Sequence, residues 1–326
     1  MGTLGGCLGK RGASAMVVCG FAALAACSGS GAAPTTEGGT VSVLTYNVSG
    51  LPQEVNQTNP RVNIPLISPL LNAYDVVLTQ EDYDWWRGLA DLTDFVHFHE
   101  QLRAQATHPY RSPAHPGLEG VGLDLTARPD VQVGDGLGVL SRYPLRGNER
   151  IPWSGCYGGW NGGDQGAFDC LAVKGFLRST LILADGVEVD LYLLHAESGG
   201  SDTDQQLQAE DFQELGDYIE RNSGGRAVLV AGDTNLHTDP THPEAAGLGD
   251  TAIWTDFLNR LGLSDACAVT SCEPDDSEDK IAYRSGDDVE LSATTYEVPS
   301  SRFRDAEGKG LSDHEPVVVR LHWQAR

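Results

Sequence analysis

The sequence predicts an α/β domain. Three observations carry that expectation: short β-branched runs recur along the 326 residues, amphipathic stretches of helical length fall between them, and no internal repeat period is present. The length suits one large domain or two small ones. Periodicity leaves open whether the strands form one sheet or two.

Residues 41–46, Val-Ser-Val-Leu-Thr-Tyr, alternate toward an apolar face and read as the first strand, with Asn47 at its end. Residues 50–69 hold several prolines and read as a loop, with one helical turn over residues 67–72. Residues 75–79 form a second strand that delivers Gln80 and Glu81, followed by the aromatic pair Trp85 and Trp86. Four histidines, His97, His99, His108 and His115, lie in a Pro- and Gly-rich stretch. His97 and His99 share one face of an extended segment, but no carboxylate is spaced to join them. Residues 137–141 are a strand, and Arg142-Tyr143-Pro144 turns out of it. Residues 155–168 carry too many glycines for a regular element. Strand character resumes over 169–176 and again over 187–195, which ends at His195. Residues 202–221 form an amphipathic helix capped by Ser201 with Asp204.

Val228, Leu229 and Val230 form a short apolar strand, and Gly232, Asp233, Thr234 and Asn235 stand at its mouth. Asp233 and Asn235 share a side if the chain stays extended, which brings a carboxylate and an amide into one cavity. Alone, Gly-Asp-x-Asn is also the signature of a plain turn. A second amphipathic helix spans 252–261, and the last strand spans 317–321.

Asp and Glu number 46 against 22 Lys and Arg, a formal charge of −24. Lys10 and Arg11 precede an apolar run of small residues ending Leu24-Ala-Ala-Cys27, which reads as a secretory signal over residues 1–26. Without those two cations the chain carries 20 basic residues against 46 acidic ones, a formal −26. Such a surface repels nucleic-acid phosphates, so no stable nucleic-acid complex is expected. Leu24-Ala-Ala-Cys27 resembles a bacterial lipobox, with Cys27 as the lipidated residue; an ordinary signal cleaved near Ala26 is the alternative. Residues 27–40, rich in Ser, Gly, Ala, Thr and Pro, read as a flexible tether before a catalytic domain at 41–326. The expected protein is secreted or anchored to the cell envelope, and monomeric.

Cys156, Cys170, Cys267 and Cys272 remain, an even number in an oxidising compartment. Four cysteines allow three pairings. The local one, Cys156 with Cys170 and Cys267 with Cys272, closes two short loops, and a zinc site is the less favoured use of the four.

Six stretches occur in the order of the endonuclease/exonuclease/phosphatase superfamily: Leu44-Thr-Tyr-Asn47, Leu78-Thr-Gln-Glu81, Leu194-His195, Gly232-Asp-Thr-Asn235, Asp279-Lys-Ile-Ala-Tyr-Arg284 and Ser312-Asp-His314. The chain resembles that superfamily over about residues 41 to 322, and Cys170-Leu-Ala-Val-Lys-Gly175 resembles a segment of neutral sphingomyelinases. The resemblance implies a four-layer α/β sandwich, two facing mixed sheets flanked by helices, with the site at one edge.

It further implies a role for each motif residue. Glu81, with Asn47 and Asp313, would hold magnesium, or manganese, cobalt or calcium, since hard oxygen donors select such ions. His314, oriented by Asp279, would be the general base for water. Asp233 would share that water, Asn235 would contact the phosphate, and His195 would donate to a non-bridging oxygen. No carboxylate that would orient His195 is identifiable. Lys280 departs from the Arg or Trp common after Asp279, and no run of basic residues flanks the site. The missing basic run and the acidic charge balance disfavour DNA, and with the Cys170 segment they favour a phospholipid or sphingolipid head-group diester at a membrane. An extracellular nuclease, a small-molecule phosphatase and a non-catalytic surface protein are the alternatives. Trp153, Tyr157 and Trp160 either rest at the headgroup level or pack against the disulfide.

Overall fold

The computed structural model describes residues 38–53, 56, 58–84, 97–115, 123–124, 126–159, 168–240, 242, 249–272 and 277–326. The expected signal, Cys27, most of the tether, Trp85, Trp86 and Trp160 lie outside these residues.

Strand β1 (Gly38–Asn47) is apolar on both faces, so it is buried from both sides. Val41 and Val43 face one core, while Leu44 and Tyr46 face another. It begins at Gly38, inside the expected tether, because Gly38, Gly39 and Thr40 pair with the end of β12 (Val317–Ala325). On its other side β1 pairs in parallel with β2 (Val76–Gln80). With β3 (Tyr110–Arg111), β4 (Gly138–Ser141) and β11 (Val289–Glu297), the first sheet has the order β11-β12-β1-β2-β4-β3. The second sheet contains β5 (Leu145–Pro152), β6 (Gly175–Ala184), β7 (Val187–His195), β8 (Ala227–Asp233), β9 (Ser264–Asp265) and β10 (Asp279–Arg284). Its order is β5-β6-β7-β8-β10-β9.

Three apolar layers hold these sheets and their helices together. Between the sheets, Val43, Leu78 and Val319 pack with Leu191, Leu193 and Leu229. Outside the first sheet, Leu44, Val77 and Val318 meet Ile64 and Ile67 of α1 (Pro60–Leu70) and Phe98 and Leu102 of α2 (Phe98–Arg103). Outside the second, Tyr192, Val228 and Val230 meet Phe212, Leu215 and Ile219 of α3 (Asp202–Asn222) and Trp254 and Phe257 of α4 (Asp250–Leu261). Full burial of one such side chain stabilises by roughly 1.5–3 kcal/mol. This is the four-layer sandwich that the resemblance implies.

Helix α1 occupies sequence that reads as a proline-rich loop. Pro60 stands in the first turn, where no intrahelical donor is needed, and Ile64 and Ile67 gain burial that offsets Pro65 and Pro69. Strand β5 is mostly exposed at a sheet edge and has no apolar alternation to announce it. The cap of α3 is as expected: Ser201 Oγ accepts from Asp204 N, and Asp204 accepts from Ser201 N. The local disulfide pairing also forms, with Cα atoms 5.3 Å apart for Cys156–Cys170 and 5.0 Å apart for Cys267–Cys272.

Candidate active site

Strand register assembles the site. The parallel β7–β8 ladder sets His195 opposite Asp233, and the antiparallel β8–β10 ladder sets Asp279 opposite the same Asp233. In the facing sheet, the β1–β2 ladder sets Asn47 opposite Gln80, one residue before Glu81. Gly232 makes the close approach before Asp233: its φ is 147°, and a Cβ there would lie 2.1 Å from the Leu194 carbonyl oxygen. Ser312 closes the ring by donating its hydroxyl to the Asn47 carbonyl at 2.8 Å, which fixes the loop that carries His314.

Asn47 bridges the two sheets. Its Nδ2 donates to Asp233 Oδ2 at 2.8 Å and to Glu81 Oε1 at 3.2 Å, and lies 3.5 Å from His314 Nε2. Its Oδ1 accepts the Ser49 N–H at 3.0 Å. His314 Nδ1 lies 2.8 Å from Asp279 Oδ2, which leaves Nε2 turned toward Asp233 at 3.8 Å. His195 Nε2 lies 3.4 Å from Asp233 Oδ2, and its buried Nδ1 has no hydrogen-bond partner. Asn235 adopts φ 49° instead of continuing the strand. Its backbone N–H caps Asp233 Oδ1, and its amide donates to the Ala196 carbonyl. Asp313 is exposed at the rim.

The electrostatics follow from burial and neighbours. Burial pushes Glu81 up to about 7, and the Asp313 carboxylate pushes it the same way. Burial also pushes Asp233 up, but His314 first, then Lys174 and the Asn47 amide, overcome it and hold Asp233 below the usual carboxylate range. Burial alone would lower His314; Asp233 and Asp279 outweigh it and raise the imidazole well above its ordinary value. His195 is driven down to about 3, first by burial and then by Lys174, so it is neutral at pH 7 and can donate one N–H.

Several partners carry weak signals in the sequence. Lys174, a cation inside an apolar run, is buried; it pairs with Asp169 and donates to the Ala196 carbonyl and Ser198 Oγ. Trp153 is buried and donates Nε1–H to the His195 carbonyl at 2.8 Å, so it packs behind the site and does not reach a membrane. Tyr157 is half-buried, its backbone N–H held by Glu197. His99 lies in a helix and meets Asp82, the residue after Glu81, at 3.0 Å, a partner that spacing alone did not offer. Glu278, beside Asp279, reaches the site itself: ligand atoms of Asp233, Glu278 and His314 all lie within 4.8 Å of one another.

That acid–histidine cluster is of the kind that holds a divalent cation. Glu81 and Asp313 add a second acidic pair, in which mutual repulsion already disfavours charge on Glu81. Carboxylate oxygens with at most one imidazole suit a hard divalent ion.

A two-sheet sandwich whose strand ends gather carboxylates, an amide and histidines at one edge defines a protein able to bring a cation and an oxyanion together. The chain belongs to the endonuclease/exonuclease/phosphatase family, whose model matches residues 44–308. A sphingomyelinase of Mycobacterium tuberculosis is 32% identical over 314 residues, taking in 90% of this chain and 55% of that protein. The chain thus spans little more than half the length of that relative. Beta toxin from Staphylococcus aureus and sphingomyelinase C from Streptomyces griseocarneus each superpose with a TM-score of 0.58 at 18% identity, covering 86% of this chain and 99% of the other. At that identity the likeness is one of fold.

Proposed function

We propose that this chain is a metal-dependent phosphodiesterase that hydrolyses a phospholipid head-group diester, sphingomyelin first among candidates. The observation that carries the reading is the convergence of Asn47, Glu81, His195, Asp233, Asp279 and His314, from the strand ends and loops of both sheets, at one edge of the sandwich. The lipid assignment draws on the similarity to the mycobacterial sphingomyelinase and on an acidic surface unsuited to a polyanion.

In this reading Asn47, Glu81 and Asp313 would hold magnesium, with manganese, cobalt or calcium able to replace it. The ion supplies positive charge that polarises the phosphoryl oxygens and stabilises the leaving oxygen. Asp279 fixes the His314 ring through Nδ1, so Nε2 faces the attacking water beside Asp233. The water oxygen bonds to phosphorus as the bond from phosphorus to the leaving oxygen breaks. The neutral form of the His314 ring, which its acidic neighbours make the minority form, takes the water's proton on Nε2, and the departing oxygen is protonated from solvent. Neutral His195 donates to a non-bridging oxygen as its charge grows. Among the described residues no serine hydroxyl or cysteine thiol hydrogen-bonds the ring of His195 or His314, so the reading invokes no covalent intermediate. Cleavage falls on the ceramide or diglyceride side and releases the phosphorylated head group. The enzyme acts as a monomer, secreted or held at the envelope by a lipid on Cys27, which the mass of the mature N-terminus tests.

The deciding experiment compares phosphocholine release from sphingomyelin vesicles with cleavage of duplex DNA, each with magnesium and with excess chelator. Magnesium-dependent phosphocholine release and slow DNA cleavage are expected. Efficient DNA cleavage without head-group release establishes the nuclease reading instead, and full activity in chelator removes the metal.

A further inference from the structure

We propose that Glu278 makes this site selective for singly charged phosphodiesters over doubly charged phosphomonoesters; the inference rests on the phosphodiesterase reading above. Glu278 is half-buried immediately before β10, and none of the six motifs assigns it a role. Its carbonyl is clamped by the Thr234 N–H at 2.9 Å and the Thr234 hydroxyl at 2.6 Å, which locks it beside the Asp233 turn. One carboxylate oxygen lies 3.1 Å from His237 Nε2. The side chain also comes within 4.8 Å of the ligand atoms of both Asp233 and His314. It therefore stands on the side of phosphorus from which water arrives.

Three carboxylates, Asp233, Glu278 and Asp279, crowd that side, faced by the rings of His314 and His237 and backed by Lys174. Asp233 and Asp279 share His314, and Glu278, held near His237, adds a third carboxylate to that side. A diester brings one negative charge to this place. A monoester carries nearly two at neutral pH, because its second ionisation falls near pH 6. Repulsion by a fixed carboxylate a few ångströms away disfavours the second charge on the order of 10- to 100-fold after solvent screening. Diester hydrolysis itself turns a monoanion into such a monoester, so the same carboxylate that admits the substrate helps expel the product.

Glu278→Gln keeps the shape and removes the charge. In the magnesium-loaded protein, phosphocholine, a monoester, should bind about 10- to 100-fold more tightly to the variant. Dimethyl phosphate, a diester, should change by less than about 3-fold. The ratio of p-nitrophenyl phosphate to bis(p-nitrophenyl) phosphate turnover should rise in parallel. Glu278→Ser, scored the same way alongside the melting temperature, separates a charge effect from misfolding. Unchanged phosphocholine affinity in both variants overturns the proposal. So does a 10-fold loss of magnesium affinity, which makes Glu278 a metal ligand instead. The aryl esters report on Glu278 whether or not a lipid is the substrate. Loss of the lipid reading alone, seen as no cleavage of sphingomyelin vesicles, therefore stays distinguishable from failure here.

Discussion

At the scale of single residues, the site works by holding one histidine between acids. His314 meets Asp279 through Nδ1 and turns Nε2 toward Asp233, so its ring is oriented before any substrate arrives. In the proposed reading His314 is the proton acceptor, so His314→Ala should lower kcat by roughly 10²–10⁴ with a smaller change in KM, since general acid–base catalysis has that worth. Steady-state kinetics on a diester check this, and near-wild-type turnover removes His314 from the role. Asp279 was legible because it sits in a motif. Glu278 was not, because a second acid in a row reads as solvated surface until the fold turns it inward. His195 shows the same dependence on context: burial drives its pKa to about 3, a state no sequence pattern displays.

At the scale of elements, the end of the second sheet remote from the site is tied by Asp190 on β7. Thr180 of β6 donates to its Oδ1, Ser223 after α3 donates to its Oδ2, and Arg226 before β8 forks onto both oxygens. Burial alone would raise Asp190, but Arg226, Ser223 and Thr180 hold it below the usual carboxylate range. A depressed native pKa stabilises the fold above the unfolded value, about 3.9, and that contribution fades as pH falls through the native value. Asp190→Ala should cost on the order of 3 kcal/mol at pH 7, because the guanidinium loses its buried partner. The deficit should shrink on acidification below about pH 4, where the wild type loses the same charge. Denaturant titrations at both pH values decide it, and an equal deficit at both excludes the charge pairing as cause. Helix α1 carries the converse lesson: propensity argues against a helix through Pro65 and Pro69, and the burial of Ile64 and Ile67 prevails.

At the scale of the whole molecule, the Cys156–Cys170 bridge closes a glycine-rich stretch near whose start the Tyr157 backbone N–H donates to Glu197. Replacing both cysteines by serine should lower stability by about 3 kcal/mol, the chain-entropy worth of a loop of this length. The measurement is unfolding of the double variant beside the wild type, and no loss means other contacts order the loop. The formal charge of −24 acts at this scale as well, discouraging polyanions.

By itself, the sequence determined the alternation of strands and helices, the capping box at Ser201, the disulfide candidates and the motif residues Asn47, Glu81, His195, Asp233, Asp279 and His314. These are local or compositional signals, readable from neighbours in the chain. Only the tertiary structure decided which side chains meet: that Asn47 donates across the sheets to Asp233, that Trp153 braces His195 rather than touching a membrane, and that Glu278 joins the cluster. The reason is physical. Such contacts join residues as far apart as Asn47 and Asp233, and sheet register and the packing between layers fix their geometry and charge states, neither of which is a property of any one stretch of chain.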